Sequence, residues 1–217
     1  MPEWLVSLLH SLLFWQLSTS VLTFGLALSL WYSVRVRKRE KKNKGDATTD
    51  HLTGLANRRV LDARLQEHAV MSSRYRVPIS IALVDLDFLK EINDTLGHPA
   101  GDTALRLLAT ALSGVITREA DLAAKYSGGD EFALLLYDCS EEGARSVTDK
   151  LLQRIQTSSL KNGQNISASI GVLTFYPEKG VVVSPQNLLD SVDKALLTAK
   201  RAGKNRAYFV SEGTPRA

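Results

Sequence analysis

Cysteine occurs once in the 217 residues, at Cys139. No intrachain disulfide can form, and a structural metal site built from Cys/His clusters is excluded by the same count. A lone thiol agrees with a reducing cytoplasm. The four histidines, His10, His51, His68 and His98, show no metal-ligand spacing. Internal repeats and low-complexity tracts are lacking, as is any heptad pattern long enough for a coiled coil. Charge is missing altogether from residues 4–34. What remains is 44% hydrophobic and 23% charged, which fits a globular chain and excludes a disordered one. The length allows one soluble domain of ordinary size with an appendage.

The uncharged stretch is the appendage. About 20 apolar residues span a bilayer core, so residues 4–34 suffice with allowance for tilt. Trp4, Trp31 and Tyr32 near its ends suit the interfacial belts. Arg35, Arg37, Lys38, Arg39, Lys41, Lys42 and Lys44 follow at once, broken only by Glu40. With seven cations against one acid, this run outweighs the whole net charge of +4, and the remaining charges nearly balance. A basic excess confined to a patch beside an apolar segment points to a membrane surface rather than to nucleic acid. The positive-inside rule places the N-terminus outside and everything after Arg35 in the cytoplasm. A cleaved signal peptide requires the reverse order of charge, and a buried core helix rarely runs so long without a charge. The expected organisation is a transmembrane anchor over 1–34, a basic juxtamembrane linker over 35–49, one folded domain over 50–211 and a tail over 212–217. The linker leaves no space for a folded sensor domain.

Within the folded part, apolar periodicity predicts helices over 57–73, 88–96, 101–115, 141–157 and 185–202. It predicts strands over 79–84, 122–126, 132–137, 166–175 and 207–210. The second and third strands are joined by a turn at Ser127-Gly128-Gly129-Asp130. Helices alternating with strands around one hairpin predict a single α/β or α+β domain with a central sheet.

Three clusters carry chemistry. Asp85 and Asp87 end an apolar strand, and residues two apart leave the same face. Such a pair suits a hard cation that takes oxygen from one or two carboxylates and from substrate phosphates; alternatively, Asp87 caps the helix that follows. Gly128-Gly129-Asp130-Glu131-Phe132 sets two acids at the start of a strand behind a turn that a bulky anion can approach. An ordinary hairpin with solvated acids has the same pattern, and Phe132 reads as core. Lys200-Arg201-Ala202-Gly203-Lys204 stands at a helix C-terminus, where cations are favoured in any case; the sharper reading is a triphosphate site.

In the same order, the chain carries Asp50-His51-Leu52-Thr53-Gly54-Leu55-Ala56-Asn57-Arg58-Arg59 ahead of the first strand. Asp85-Leu86-Asp87-Phe88-Leu89-Lys90-Glu91-Ile92-Asn93-Asp94, Gly97-His98 and Gly101-Asp102 follow. With the glycine pair and its acids, these motifs closely resemble the GGDEF family of diguanylate cyclases over residues 50–210. The resemblance implies a palm-like fold and condensation of two GTP into cyclic di-GMP with release of two pyrophosphates. It implies that Asp85, Asp130 and the Leu86 carbonyl hold Mg²⁺, or Mn²⁺ in its place. Glu131 beside them would be a ligand or the group that eases deprotonation of the 3′-hydroxyl. It further implies that Asn93 and Asp102 bind the guanine edge. Phe88 and Leu89, through the main chain, with Lys90, Lys200 and Lys204, would meet the phosphates. The resemblance also implies a homodimer, since each domain of the family binds one GTP. The expected location is the inner (cytoplasmic) membrane, single-pass, with the catalytic domain in the cytoplasm.

Two departures from the family pattern stand out. The family has arginine two residues before the glycine pair, and this chain has Tyr126 there; Lys125 is its counterpart if Ser127 is an insertion. The family's product-inhibition motif, Arg-x-x-Asp, lies five residues ahead of the glycines. Arg118-Glu119-Ala120-Asp121 has the composition but stands one residue too far away. One insertion explains both shifts. The alternative function is a degenerate domain that binds GTP or cyclic di-GMP without turnover.

Overall fold

The computed structural model describes residues 31–32, 48–178, 181 and 183–214. The chain divides into two units, 1–47 and 48–217. The expected membrane segment lies outside the described residues apart from Trp31 and Tyr32, which are helical and exposed. Among the described residues no helix is long and apolar enough to cross a membrane.

The second unit runs α1 (Arg58–Tyr75), β1 (Ile79–Leu86), α2 (Leu89–Leu96), α3 (His98–Ser113), β2 (Leu122–Ser127), β3 (Glu131–Tyr137), α4 (Glu141–Gln156), β4 (Ala168–Phe175), α5 (Pro185–Arg201) and β5 (Ala207–Glu212). The strands form one sheet in the order β2-β3-β1-β4-β5. The pairs β2/β3, β1/β3 and β1/β4 are antiparallel and β4/β5 is parallel. The predicted α/β domain with a central sheet is observed.

β1 and β4 are buried along their whole length, because helices cover both faces of the sheet. On one face Leu61 and Leu65 of α1 and Leu188, Val192 and Leu196 of α5 pack on Ile81, Leu83 and Leu135. On the other, Leu108 and Leu112 of α3 and Leu151 and Ile155 of α4 pack on Val84, Phe132 and Leu134. The alternation of side chains along each strand divides the two cores.

Local chemistry sets the ends of the elements. Asn57 caps α1 by accepting from the Val60 amide at 3.2 Å. The stretch before it is a tight loop in which Asp50 Oδ1 accepts from Thr53 N at 3.0 Å and Thr53 Oγ1 at 2.6 Å. This loop lies against β2, where Lys125 N donates to Ala56 O at 2.7 Å. The helix predicted over 101–115 begins three residues earlier, at His98. Pro99 occupies its first turn, where the missing amide hydrogen costs nothing.

Candidate active site

Two neighbouring strands bring the predicted acids together. Asp85 stands directly opposite Glu131 across the β1/β3 ladder, and opposed residues present their side chains on one face. Asp130 is tied to the same end of the sheet, since its carbonyl accepts the Leu86 amide at 3.2 Å. The turn that delivers it uses Gly128 at φ +53°, a left-handed conformation that glycine adopts without strain. A side chain at Gly129 would meet nothing within 4 Å, so the turn has open space around it.

Lys200 completes this cluster. Its Nζ lies 2.7 Å from Asp85 Oδ2. The helix that carries it rests directly on β4: a Cβ at Gly171 would stand 2.2 Å from Leu196 N and 2.5 Å from Val192 O. That close approach seats the middle of α5 on β4, and Lys200 in its last turn reaches the end of β1. Asp85 is only 7% exposed. Burial pushes its carboxyl above the usual aspartate range, the carboxylates of Asp130 and Glu131 push the same way, and Lys200 opposes them.

Asp87 shares the face but not the task. Its carboxylate is buried and accepts from Ser169 Oγ at 2.7 Å, Ser167 Oγ at 3.0 Å and the Asn205 amide at 3.0 Å. It neither caps α2 nor joins the acids. It clamps β4 and the 203–206 loop to the end of β1. Across that loop Lys204 lies 3.9 Å from the centre of the Phe88 ring. Phe88 itself is left-handed at φ +61° and immediately precedes α2, which has no side-chain cap. The first amides of α2, at Leu89 and Lys90, thus begin a helix at the site, an arrangement suited to phosphate.

Asn93 stands at the corner of α2 and α3, against Gly101, the residue before Asp102. A Cβ at Gly101 would fall 2.0 Å from Asn93 Oδ1, so the glycine makes the space that the amide fills. A cleft of about 290 Å³ flanked by Leu96, Ala100 and Leu160 opens beside the corner.

Arg118 and Asp121 stand at the other end of β3. Arg118 donates to both carboxylate oxygens of Asp121 at 2.8 Å and to Tyr137 O at 2.8 Å. Asp121 accepts in turn from the Tyr137 amide at 3.2 Å. The extra residue does not disturb this pair. β2 and β3 pair one to one from Leu122 to Lys125, and the register then slips by one at a β-bulge between Lys125 and Ser127. The insertion is thus absorbed at Tyr126, whose ring lies under the Arg58 guanidinium at 4.1 Å. Lys125 turns the other way. Its ammonium donates to Glu131 O at 3.2 Å and sits 4.1 Å from the Phe132 ring centre. Burial lowers its affinity for the proton, against the fields of Asp50, Asp130, Glu131 and Asp85.

The donor set fits a divalent cation. Mg²⁺ takes one or two carboxylates and completes its shell with water and substrate phosphate. Asp85 already holds a cation, the Lys200 ammonium, at contact distance. Among the described residues, no group of three or more His, Cys, Asp or Glu side chains is arranged to hold a metal by itself. Sequence reasoning missed the parts of Asp87, Gly101 and Gly171. Asp87 and Gly101 stood inside motifs and Gly171 inside a strand, but nothing in the sequence showed the contacts they make.

A mixed five-stranded sheet with acids from two adjacent strands at one end, and Lys200 of the last helix upon one of them, is the architecture of a palm-type α/β domain. The chain belongs to the family described as diguanylate cyclase, GGDEF domain, which matches residues 47–206. It is 34% identical over 176 residues to diguanylate cyclase A of Treponema denticola, covering 78% of this chain and 46% of that protein. It is 35% identical over 173 residues to diguanylate cyclase DosC of Escherichia coli K12, covering 77% of this chain and 36% of that one. The chain thus spans less than half the length of these curated relatives. The GGDEF domain of DgcB from Caulobacter crescentus, in complex with c-di-GMP, superposes with a TM-score of 0.69 at 30% identity. That match covers 76% of this chain and 96% of the DgcB chain.

Proposed function

We propose that this protein is a diguanylate cyclase that condenses two GTP into cyclic di-GMP, and that a single N-terminal helix holds it at the inner membrane with its catalytic domain in the cytoplasm. The observation that carries the reading is the pairing of Asp85 with Glu131 across one ladder, with Asp130 beside them and Lys200 on top.

The reaction is two phosphoryl transfers. In each, the 3′-hydroxyl oxygen of one GTP bonds to the α-phosphorus of the other. The bond from that phosphorus to the leaving oxygen breaks, pyrophosphate departs, and the hydroxyl proton is lost. Asp85, Asp130 and the Leu86 carbonyl would hold the divalent cation, Mg²⁺ or Mn²⁺. When bound, such a cation would supply Lewis-acid activation of the attacking oxygen and charge neutralisation of the leaving group. Glu131 stands next to Asp85, placed to ease removal of the hydroxyl proton. The amides opening α2, with Lys90, Lys200 and Lys204, would receive the phosphates and stabilise charge as it develops. Asn93 and Asp102 would bind the guanine edge: guanine donates from N1 and N2, where a carboxylate accepts, and adenine lacks that pair of donors.

Each domain holds one GTP, so two copies must face each other. The membrane helix is the element that would raise their local concentration. The Arg118–Asp121 pair, held on β3 independently of the bulge, is the proposed product-inhibition site.

The experiment is incubation of the purified full-length chain with GTP and Mg²⁺, followed by chromatographic separation of products. Cyclic di-GMP with two equivalents of pyrophosphate is expected. Tight nucleotide binding with no product would instead identify a degenerate binding module.

A further inference from the structure

The lysine on Asp85 has a consequence for the order in which the site fills. A catalytic lysine poised for phosphate would be expected to extend into solvent. Here Lys200 lies on a carboxylate instead, 2.7 Å from Asp85 Oδ2, with its side chain 32% exposed and that of Asp85 10% exposed. Lys204, another of the three lysines expected on the phosphates, is also engaged, 3.9 Å from the centre of the Phe88 ring.

The backbone of α5, packed directly on β4 at Gly171 with no space for a methyl group, cannot readily yield to free this contact. The four-carbon stem of Lys200 can, since a lysine ammonium is a point charge on a flexible chain. An arriving divalent cation therefore meets a positive charge on its principal ligand, and the ammonium must swing away. In solvent it gains hydration but no anionic partner to replace Asp85. Against the phosphates of a nucleotide it gains a new anionic partner.

We propose that Lys200 is the resident counter-ion of the metal site, so that divalent cation and nucleotide bind as a coupled pair, the phosphates taking the ammonium as the cation takes Asp85. This rests on the metal–nucleotide reading given above. Two carboxylates without phosphate make a poor site for a hard cation, and the lysine makes it poorer. By linkage, each ligand raises the affinity of the other by the same factor.

The test is Mn²⁺ binding to the full-length chain, followed by loss of the free-ion electron paramagnetic resonance signal. Without nucleotide, Lys200→Met is expected to bind Mn²⁺ about tenfold more tightly than the wild type, the scale of one partly buried ion pair. Lys204→Met removes the same charge nearby without touching Asp85, and Lys200→Arg keeps a cation on Asp85. Both are expected within threefold of the wild type. Equal affinity in Lys200→Met and wild type overturns the proposal. So does equal tightening in Lys204→Met, which would make the effect one of general charge, or tightening in Lys200→Arg. Equilibrium dialysis of guanosine α,β-methylene triphosphate with Mn²⁺ and the wild type tests the underlying reading separately. Retention of the analogue supports the nucleotide site, and its absence withdraws that reading whatever the lysine variants do.

Discussion

A methyl group at position 101 would overlap the Asn93 amide, with 2.0 Å between Cβ and Oδ1. The obstacle is the end of a flexible side chain, so the fold can yield where the site cannot. Gly101→Ala should leave the thermal midpoint unchanged or raise it, since alanine is favoured over glycine in a helix by about 1 kcal/mol. The same change should raise KM for GTP about tenfold by turning Asn93 away from the base. Steady-state kinetics beside a thermal melt checks both, and an unchanged KM would remove Asn93 from the guanine site. His68 offers a second test, unrelated to nucleotide. It is 3% exposed, packs with its ring centre 4.8 Å from that of Tyr137, and its Nδ1 has no hydrogen-bond partner among the described residues. Burial, with Arg64 nearby, holds its pKa below the ordinary 6.5. Because the unfolded chain takes up the proton first, stability is whole above pH 6.5 and is lost as pH falls through the lowered folded value. His68→Leu should remove that slope and gain about 1 kcal/mol from deleting an unpartnered buried atom. Melts at pH 5.5 and 7.5 should show a larger advantage at the lower pH. The charged residues of the site were legible because their motifs stand in fixed order. His68 read only as a histidine without ligand spacing, since burial on a helix face depends on what packs against it.

At the scale of elements, the hairpin of β2 and β3 separates sequence distance from spatial position. Arg118-Glu119-Ala120-Asp121 is one residue too far from Gly128 along the chain, yet Asp121 and Arg118 bond to the end of β3. The surplus residue is taken up beyond them, at the bulge. Arg118→Ala should therefore raise the cyclic di-GMP concentration that half-inhibits the enzyme at least tenfold, while deletion of Ser127 should leave it within about twofold, since charged hydrogen bonds carry about 1.5–3 kcal/mol. Inhibition titrations of the two variants decide between spatial and sequential placement. Periodicity and apolar runs located every strand and helix of the domain, because the helices bury one defined face and a central strand such as β1 is buried on both and reads as a continuous apolar run. It misplaced the start of α3, where Gly97-His98-Pro99 reads as a loop although Pro99 sits comfortably in a first turn. It also had no means of showing that α5 touches β4 at Gly171: a glycine within a strand marks close approach, but not what approaches.

For the whole molecule, the proposed activity needs two domains and two nucleotides. The full-length chain should keep more activity than residues 50–217 when both are diluted, because the membrane helix would hold copies in one plane. Parallel specific activities across the dilution series would deny the anchor that part. The basic run and the uncharged stretch are the whole basis of the proposed anchor, which lies outside the described residues apart from Trp31 and Tyr32, whereas the motifs pointed to residues that the fold does bring together. The buried Asp85 carboxylate is the point at which both scales meet, since nothing in the fold requires an acid there and burial opposes its charge. The most direct measurement is the rate of cyclic di-GMP formation per chain by Asp85→Asn beside the wild type, at saturating GTP and Mg²⁺. Loss of at least a thousandfold, about 4 kcal/mol of transition-state stabilisation, is the expected result, and a variant that keeps the wild-type rate would contradict the account.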